Sequence, residues 1–544
     1  MKKIIKFIKE KCLYLLSLLT SIYFVYLFVK KYTLGIKGIC FISLVMVTLF
    51  FFLTRHWTKK NKNLNFDKKH KIWIGISSFI LTLILMKCGA HLYVKDYVTN
   101  NLSIVKSVLS FITIYYMFLM YTIYFLNNKD KRGLLLIILS CLLFGTYYFT
   151  KTSINVLFPD SNSYIYYDFT RLWNLKLNGR TPIYPVILNT NKIIFETNFL
   201  TFTCMFQYIV WFIGIICLYE TLSLLVKNKR LNVIISICYV ISPAITLWNN
   251  IILTESIALS GTLIFIYLIV KYIITNKCVY GYLSVILSFI LTFHRPTSII
   301  YLLGLFLFFI FRMIFEKPTF KSELKCFAVS TLSVLMVFVY AYFFHKSYGI
   351  YSISDAVVRQ DLIVSIEQGY YKSSENKEFV EYIDKKVENG EEVWSYVFDI
   401  IDEYGHSEIK KITNDCRMKN IDKYILYIGR LGMKHSSVPF THYSTVKNSF
   451  IASSLDTSFS VITFFHVYIV TFLELILLIV KWVKNKKVPW INAGLFAFPF
   501  IIVMSSFIGT CNEFMRTAIC CVPFTFIGFV MLIDKIFKQP NIHI

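Results

Sequence analysis

The side chains in this sequence whose types and spacing could do chemistry are the few charged ones that stand beside proline, tyrosine or an apolar run. The densest group reads Phe158-Pro159-Asp160-Ser161-Asn162-Ser163-Tyr164, then Tyr166-Tyr167-Asp168, and continues as Asn178-Gly179-Arg180-Thr181-Pro182-Ile183-Tyr184-Pro185. Pro159 ends the preceding helix, and Asp160 opens the next, where a carboxylate suits the positive helix end. Helical spacing then predicts Asp160, Tyr164 and Tyr167 on one face, at i, i+4 and i+7. A carboxylate held there can accept a proton, beside an aromatic surface that could hold a sugar ring. The plainer alternatives are a helix cap for Asp160, a solvated loop acid for Asp168, and a contact to anionic lipid for Arg180.

Three further segments carry isolated charge. Leu253-Thr254-Glu255-Ser256 opens an apolar run, so Glu255 either caps that helix or serves function, because an acid at the edge of lipid is costly. His294-Arg295-Pro296-Thr297 fills a tight turn, where Arg295 can snorkel or bind and His294 reads as structural. Asn512-Glu513-Phe514-Met515-Arg516 forms another short turn, in which Arg516 can pair with Glu513 three residues away. His345, His442 and the remaining histidines show no ligand spacing, and no Cys-x-x-Cys pair is present. No cofactor is implied. Most of the 13 cysteines, such as Cys40, Cys141, Cys217 and Cys238, fall inside apolar runs as small packing residues, while Cys416 is expected as a free thiol outside.

The elements that must position these residues are membrane spans. The chain of 544 residues is 56% hydrophobic and 18% aromatic with only 16% charged residues, too little polar surface for a water-soluble exterior. Its apolar blocks are long enough to cross about 30 Å of hydrocarbon and must be helical there, since unpaired backbone amides are costly in lipid. About fourteen spans are predicted by the length rule, at 12–29, 36–53, 72–88, 104–126, 133–150, 200–226, 231–248, 252–274, 279–294, 297–315, 326–345, 457–480, 490–509 and 517–534. The net charge of +26 would suit nucleic acid. Its placement argues for topology instead. Lys2, Lys3, Lys6, Lys9 and Lys11, the basic run from Arg55 to Lys71, Lys129 with Lys131 and Arg132, Lys227 with Lys229 and Arg230, and Lys481 to Lys487 lie between alternate spans. The positive-inside rule then puts both termini in the cytoplasm of a multi-pass plasma-membrane protein. The basic start runs into a full-length span without a small-residue cleavage site, so the first helix is expected to remain as an anchor.

This topology places the reactive segments on the outer side. It divides the chain into N-terminal accessory helices (1–132), a membrane core (133–345) with a first outer loop at 151–200, an outer and mainly helical soluble subdomain (346–455), and C-terminal helices (456–544). Within the subdomain, runs such as Glu378-Phe379-Val380-Glu381-Tyr382-Ile383 carry helical periodicity.

An Asp directly after a span, a tyrosine-bearing amphipathic helix, then Gly179, Arg180-Thr181-Pro182 and Tyr184-Pro185 resembles the first outer loop of the GT-C superfamily of polytopic membrane glycosyltransferases. That superfamily includes protein O-mannosyltransferases, aminoarabinose transferases and bacterial relatives. The resemblance covers 133–345 and, more weakly, the last two spans. It departs at Ser161, where those enzymes usually carry a second acid. It implies a GT-C-like helical fold and inverting transfer of a sugar from a polyprenyl-phosphate carrier to an outer glycan, lipid or protein acceptor, with membrane lipids and no nucleic acid as partners. Some GT-C relatives also use a divalent metal. Asp160 would be the catalytic base, Arg295 and Arg516 the clamps on phosphate or pyranose, and Tyr164, Tyr167, Asp168, Arg180 and Glu255 further substrate contacts. Two alternatives remain: a polymerase or ligase of lipid-linked polysaccharide, with Arg430 in the outer subdomain as a key residue, and a flippase or transporter, against which the clustering of charge at span ends counts.

Overall fold

The structure is a computed structural model that describes residues 34–60, 132–316, 320–434, 466–509 and 514–536, together with scattered positions from 21 to 32 and residue 76. Among these residues the fold is helical, and the one β feature is an isolated bridge between Val156 and Ile251. Helix α1 (Ile36–Lys60) precedes α2 (Arg132–Lys151), and two short helices follow, α3 (Ser161–Ile165) and α4 (Phe169–Trp173). Next come α5 (Ile183–Phe195), α6 (Phe199–Leu225), α7 (Lys229–Ile241), α8 (Glu255–Thr275), α9 (Cys278–His294), α10 (Ile299–Phe315) and α11 (Phe320–Tyr348). Five shorter helices form the subdomain: α12 (Ala356–Glu367), α13 (Lys377–Glu388), α14 (Val393–Tyr404), α15 (His406–Lys419) and α16 (Ile421–Lys434). The chain then returns through α17 (Thr471–Asn485), α18 (Trp490–Gly509) and α19 (Val522–Ile536).

Seven helices among the described residues are long and apolar enough to cross a membrane, or eight if one bent pair counts as a span. Fourteen are therefore not established. The expected span at 104–126, and nearly all of those at 12–29 and 72–88, lie outside the described residues, as does the first part of 457–480. Other departures have local causes. The run at 231–248 is broken, with α7 and Pro243–Asn250 meeting at 59°. Pro243 has no amide hydrogen to continue the ladder, and Ser242 before it is extended (φ −61°, ψ 116°). The outer loop at 151–200 holds a helix of its own, α5, whose Pro185 sits in the first turn, where a missing amide costs nothing. A single 3-10 turn, Glu196–Asn198, joins α5 to α6. The helix opened by Asp160 is only five residues long and ends at Ile165, so Tyr167 falls beyond it and the i+7 register is lost.

Helix α8 and the segment that carries α19 lie inside the bundle: 67% of the most apolar stretch of α8 is buried and 78% of that in Ala518–Lys535, against 17% for α11, which faces outward. Small residues make this possible. A Cβ on Gly214 of α6 would stand 3.1 Å from the backbone of Ser260 in α8, so these two helices touch nearly backbone to backbone. The buried hydroxyls of α8 bond back to their own helix, Ser260 donating to the Ser256 carbonyl at 2.9 Å and Thr262, which also lies 2.8 Å from the Tyr301 hydroxyl of α10, to Ala258 at 2.7 Å. At the end of the bundle away from Glu255, Arg312 of α10 pairs with Glu316 (2.6 Å) and with Glu323 of α11 (3.2 Å) and bonds Asn276 (3.0 Å), tying the α8–α9 turn to the α10–α11 turn.

The subdomain has its own apolar core, including Leu362, Ile363, Phe379, Ile383, Val397, Ile400, Ile409 and Cys416. Cys416, expected as an outer free thiol, is fully buried in it. Asp361, also buried, pairs with both Lys410 and Arg417 and fastens α12 to α15. Two seams join this core to the bundle. The Gly179 carbonyl accepts from the Asp355 amide (3.1 Å) and the Ser354 hydroxyl (3.0 Å), and the Tyr424 hydroxyl donates to the Ile508 carbonyl (3.0 Å).

Candidate functional site

Asp160 stands at the start of α3 with helical backbone angles, and its side chain makes no capping bond. Its carboxylate faces two arginines instead. Arg180 meets one oxygen at 2.6 Å and Arg516 the other at 3.1 Å. The loop that carries it is fixed from behind: Ser161 Oγ accepts from the Phe158 amide (2.9 Å) and donates to the Ile252 carbonyl (2.8 Å), beside the bridge between Val156 and Ile251. Serine at 161 thus anchors the loop, in the place where the resemblance expects a second acid.

A second carboxylate arrives from elsewhere in the chain. Glu255, the first residue of α8, is fully buried and binds Arg516 Nε at 2.5 Å and Arg295 Nη1 at 3.1 Å. Arg295 also donates to Thr254 Oγ1 (3.0 Å) and, through Nη2, to the Arg516 carbonyl (2.9 Å). The result is a ladder running Arg180, Asp160, Arg516, Glu255, Arg295. Its members come from the loop before α5, the start of α3, the segment before α19, the start of α8 and the turn between α9 and α10, all at one end of the bundle. His294 lies beneath it, with Nε2 3.0 Å from the Thr254 carbonyl, a structural position.

The ladder is graded in exposure. The Glu255 side chain is 1% exposed and Arg295 8%, while Asp160 is 33% exposed and is the open end. Burial alone would raise the Asp160 carboxyl, but the charges of Arg180 and Arg516 outweigh it and hold the group below its usual range. Asp160 is therefore an ionised, partly solvated carboxylate between two guanidiniums.

The other expected residues have different places. Tyr164 is buried, with its ring 5.1 Å from the Arg180 guanidinium and edge-on to Tyr184 at 5.3 Å, so it supports the arginine and is not open to a sugar. Tyr167 is buried against Phe169 (4.9 Å) and has no contact with the ladder. Asp168 caps α4 through the Thr170 amide (2.9 Å) and hydroxyl (2.6 Å), bonds that keep its carboxyl low, and so is a capping residue. Glu513 lies outside the described residues. Sequence reasoning did not single out Ser163, which accepts from Arg180 Nε at 3.0 Å, or Asp355, whose charge acts on Arg180 from the subdomain. Nothing in their local sequence marks them. Arg430 is exposed on α16, outside the ladder. Among the described residues, no group of three or more His, Cys, Asp and Glu side chains could hold a metal ion.

Fold and site together define a helical, membrane-type protein with a buried arginine–carboxylate ladder at one end of its bundle. Compared with protein-family models, with curated proteins and with solved structures, the chain gives no significant match.

Proposed function

We propose that this protein is an inverting glycosyltransferase of GT-C type, moving a sugar from a polyprenyl-phosphate carrier to an extracytoplasmic glycan, lipid or protein hydroxyl. The observation that carries this reading is the ladder itself: one partly exposed carboxylate, Asp160, beside guanidiniums that suit a phosphate oxyanion. Asp160 takes the acceptor proton as the acceptor oxygen attacks the anomeric carbon from the face opposite the phosphate. Phosphate departs without needing a proton, and the positive charge that develops on the sugar lets a weak base suffice. Arg516 and Arg180 stabilise the charge that accumulates on the leaving group.

Two features support a lipid-borne donor. The helices that would line its path are apolar, and an apolar cavity of about 350 Å³ lies between α17 and α18, lined by residues including Tyr468, Phe472, Phe496, Pro499 and Met504. Helix α18 ends at Gly509, on the chain segment that leads to Arg516. In this reading the ladder and the subdomain face outward and both termini lie in the cytoplasm of the plasma membrane.

In proteoliposomes supplied with a polyprenyl-phosphate sugar, Asp160→Asn is expected to insert normally and to lose at least about 10²-fold in transfer rate, the lower bound for a positioned base. Wild-type transfer by that variant would end the proposal.

A further inference from the structure

A base needs a lone pair directed at its substrate, yet both Asp160 oxygens are engaged, one by Arg180 and one by Arg516. The partners differ in how firmly they are held. Arg516 is fixed by Glu255 through Nε (2.5 Å), and its own carbonyl accepts from Arg295 (2.9 Å). Arg180 lies over Tyr164 and donates to Ser163 Oγ (3.0 Å). Both guanidiniums therefore have anchors that do not involve Asp160. The Asp160 side chain has no bond to the backbone of its own helix and is the most exposed member of the ladder. Of the three, the carboxylate is the partner free to leave.

We propose that Asp160 is a built-in stand-in for a phosphate monoanion: in the empty site its carboxylate fills the anion position between Arg180 and Arg516, and an entering phosphate ester takes those guanidiniums and displaces it. The second half of the idea rests on the glycosyltransferase reading. Once displaced, the carboxylate turns toward the acceptor hydroxyl and accepts its proton; the acceptor oxygen bonds to the anomeric carbon, and the bond from that carbon to the phosphate oxygen breaks, with its electron pair leaving on phosphate. The donor phosphodiester carries one negative charge and the product monoester can carry two, both facing the arginines. Asp160, now protonated, no longer competes for them. Its re-ionisation restores the competitor and helps expel the carrier, which couples product release to proton release. With no phosphate bound, the base stays occupied, which protects the site from unproductive chemistry.

The test compares binding of farnesyl phosphate and of inorganic phosphate to the full-length protein in nanodiscs, wild type against Asp160→Asn and Asp160→Glu. Removing an internal competitor that occupies the site about nine-tenths of the time should tighten binding by about tenfold. The exchange therefore predicts tighter farnesyl phosphate binding for Asp160→Asn and a near-wild-type value for Asp160→Glu. Unchanged or weaker binding to folded Asp160→Asn would overturn it. Tightening toward inorganic phosphate as well would show that the arginines read the phosphate itself; tightening toward farnesyl phosphate alone would show that the lipid is needed to deliver it. Should Asp160→Asn fail to fold, a structure of the wild-type protein with farnesyl phosphate decides: the carboxylate must have left Arg516, and a phosphate bound with both ion pairs intact refutes the exchange. Tightening in Asp160→Asn, with no sugar transfer by the wild-type protein from any polyprenyl-phosphate donor, would remove the glycosyltransferase reading and leave the anion site standing. Wild-type transfer that Asp160→Asn abolishes, without tightening in that variant, would do the reverse.

Discussion

The two carboxylates of the ladder experience different surroundings, and their substitutions should separate function from stability. Glu255 is sealed at the head of α8 between Arg295 and Arg516. Glu255→Gln leaves two buried guanidiniums short of a counter-charge and is expected to cost about 3 kcal/mol, the usual penalty for breaking a buried pair. It should appear as an earlier midpoint in thermal or detergent-induced unfolding, together with lost activity. Asp160→Asn, at the open end, should leave that midpoint nearly unchanged while transfer stops. Equal destabilisation by both variants would make Asp160 a structural residue. Much of this site is legible in the sequence. Asp160, Glu255, Arg295 and Arg516 each stand where charge is expensive, at a span edge or in a tight turn, and that expense marks them. Their convergence is not legible, because 356 residues separate Asp160 from Arg516 and no local pattern reports such a contact. Tyr167 departs from the expected face for a related reason: the helical register does not run past Ile165, where the backbone leaves the helix, whereas Tyr164 keeps its place on the helix and is covered by Arg180 and Tyr184.

At the scale of elements, the site depends on how closely α6 and α8 approach, since that contact sets the position of Glu255. Gly214 faces the Ser260 backbone with no room for a side chain. Gly214→Val should force the helices apart at about 1–3 kcal/mol, the cost of overpacking, lowering the thermal midpoint and weakening activity through Glu255. A Gly214→Val protein as stable as wild type would show that the contact is not tight. Apolar length located the described spans well, because burial in lipid or protein imposes the same composition along a whole helix. Breaks were harder to read. Pro243 inside the run at 231–248 carries the signal for the bend, and average hydropathy conceals it. Helix α5 falls within an expected loop because its 13 residues are too few to span, although its proline-bearing first turn and the apolar face of Tyr184, Leu188 and Phe195 are sufficient for a helix.

For the whole molecule, the sidedness of the ladder is the property that any function must respect. Glu381 is exposed on α13, in the subdomain that shares the ladder's end of the bundle. Glu381→Cys should react with a membrane-impermeant maleimide in intact cells; reaction only after lysis would turn the molecule over and put Asp160 in the cytoplasm. The seam at Gly179 ties this geometry together. Its carbonyl is held by Ser354 and Asp355 of the subdomain, and the next residue in the chain is Arg180, which grips Asp160. One peptide unit is thus shared between the wet cap and the greasy trunk. The cap is not an ornament that can be pruned: whatever seizes or loosens it will tug on the ladder's open end, so under the proposed function an acceptor large enough to lean on the cap would announce its arrival at the reacting atoms before reaching them.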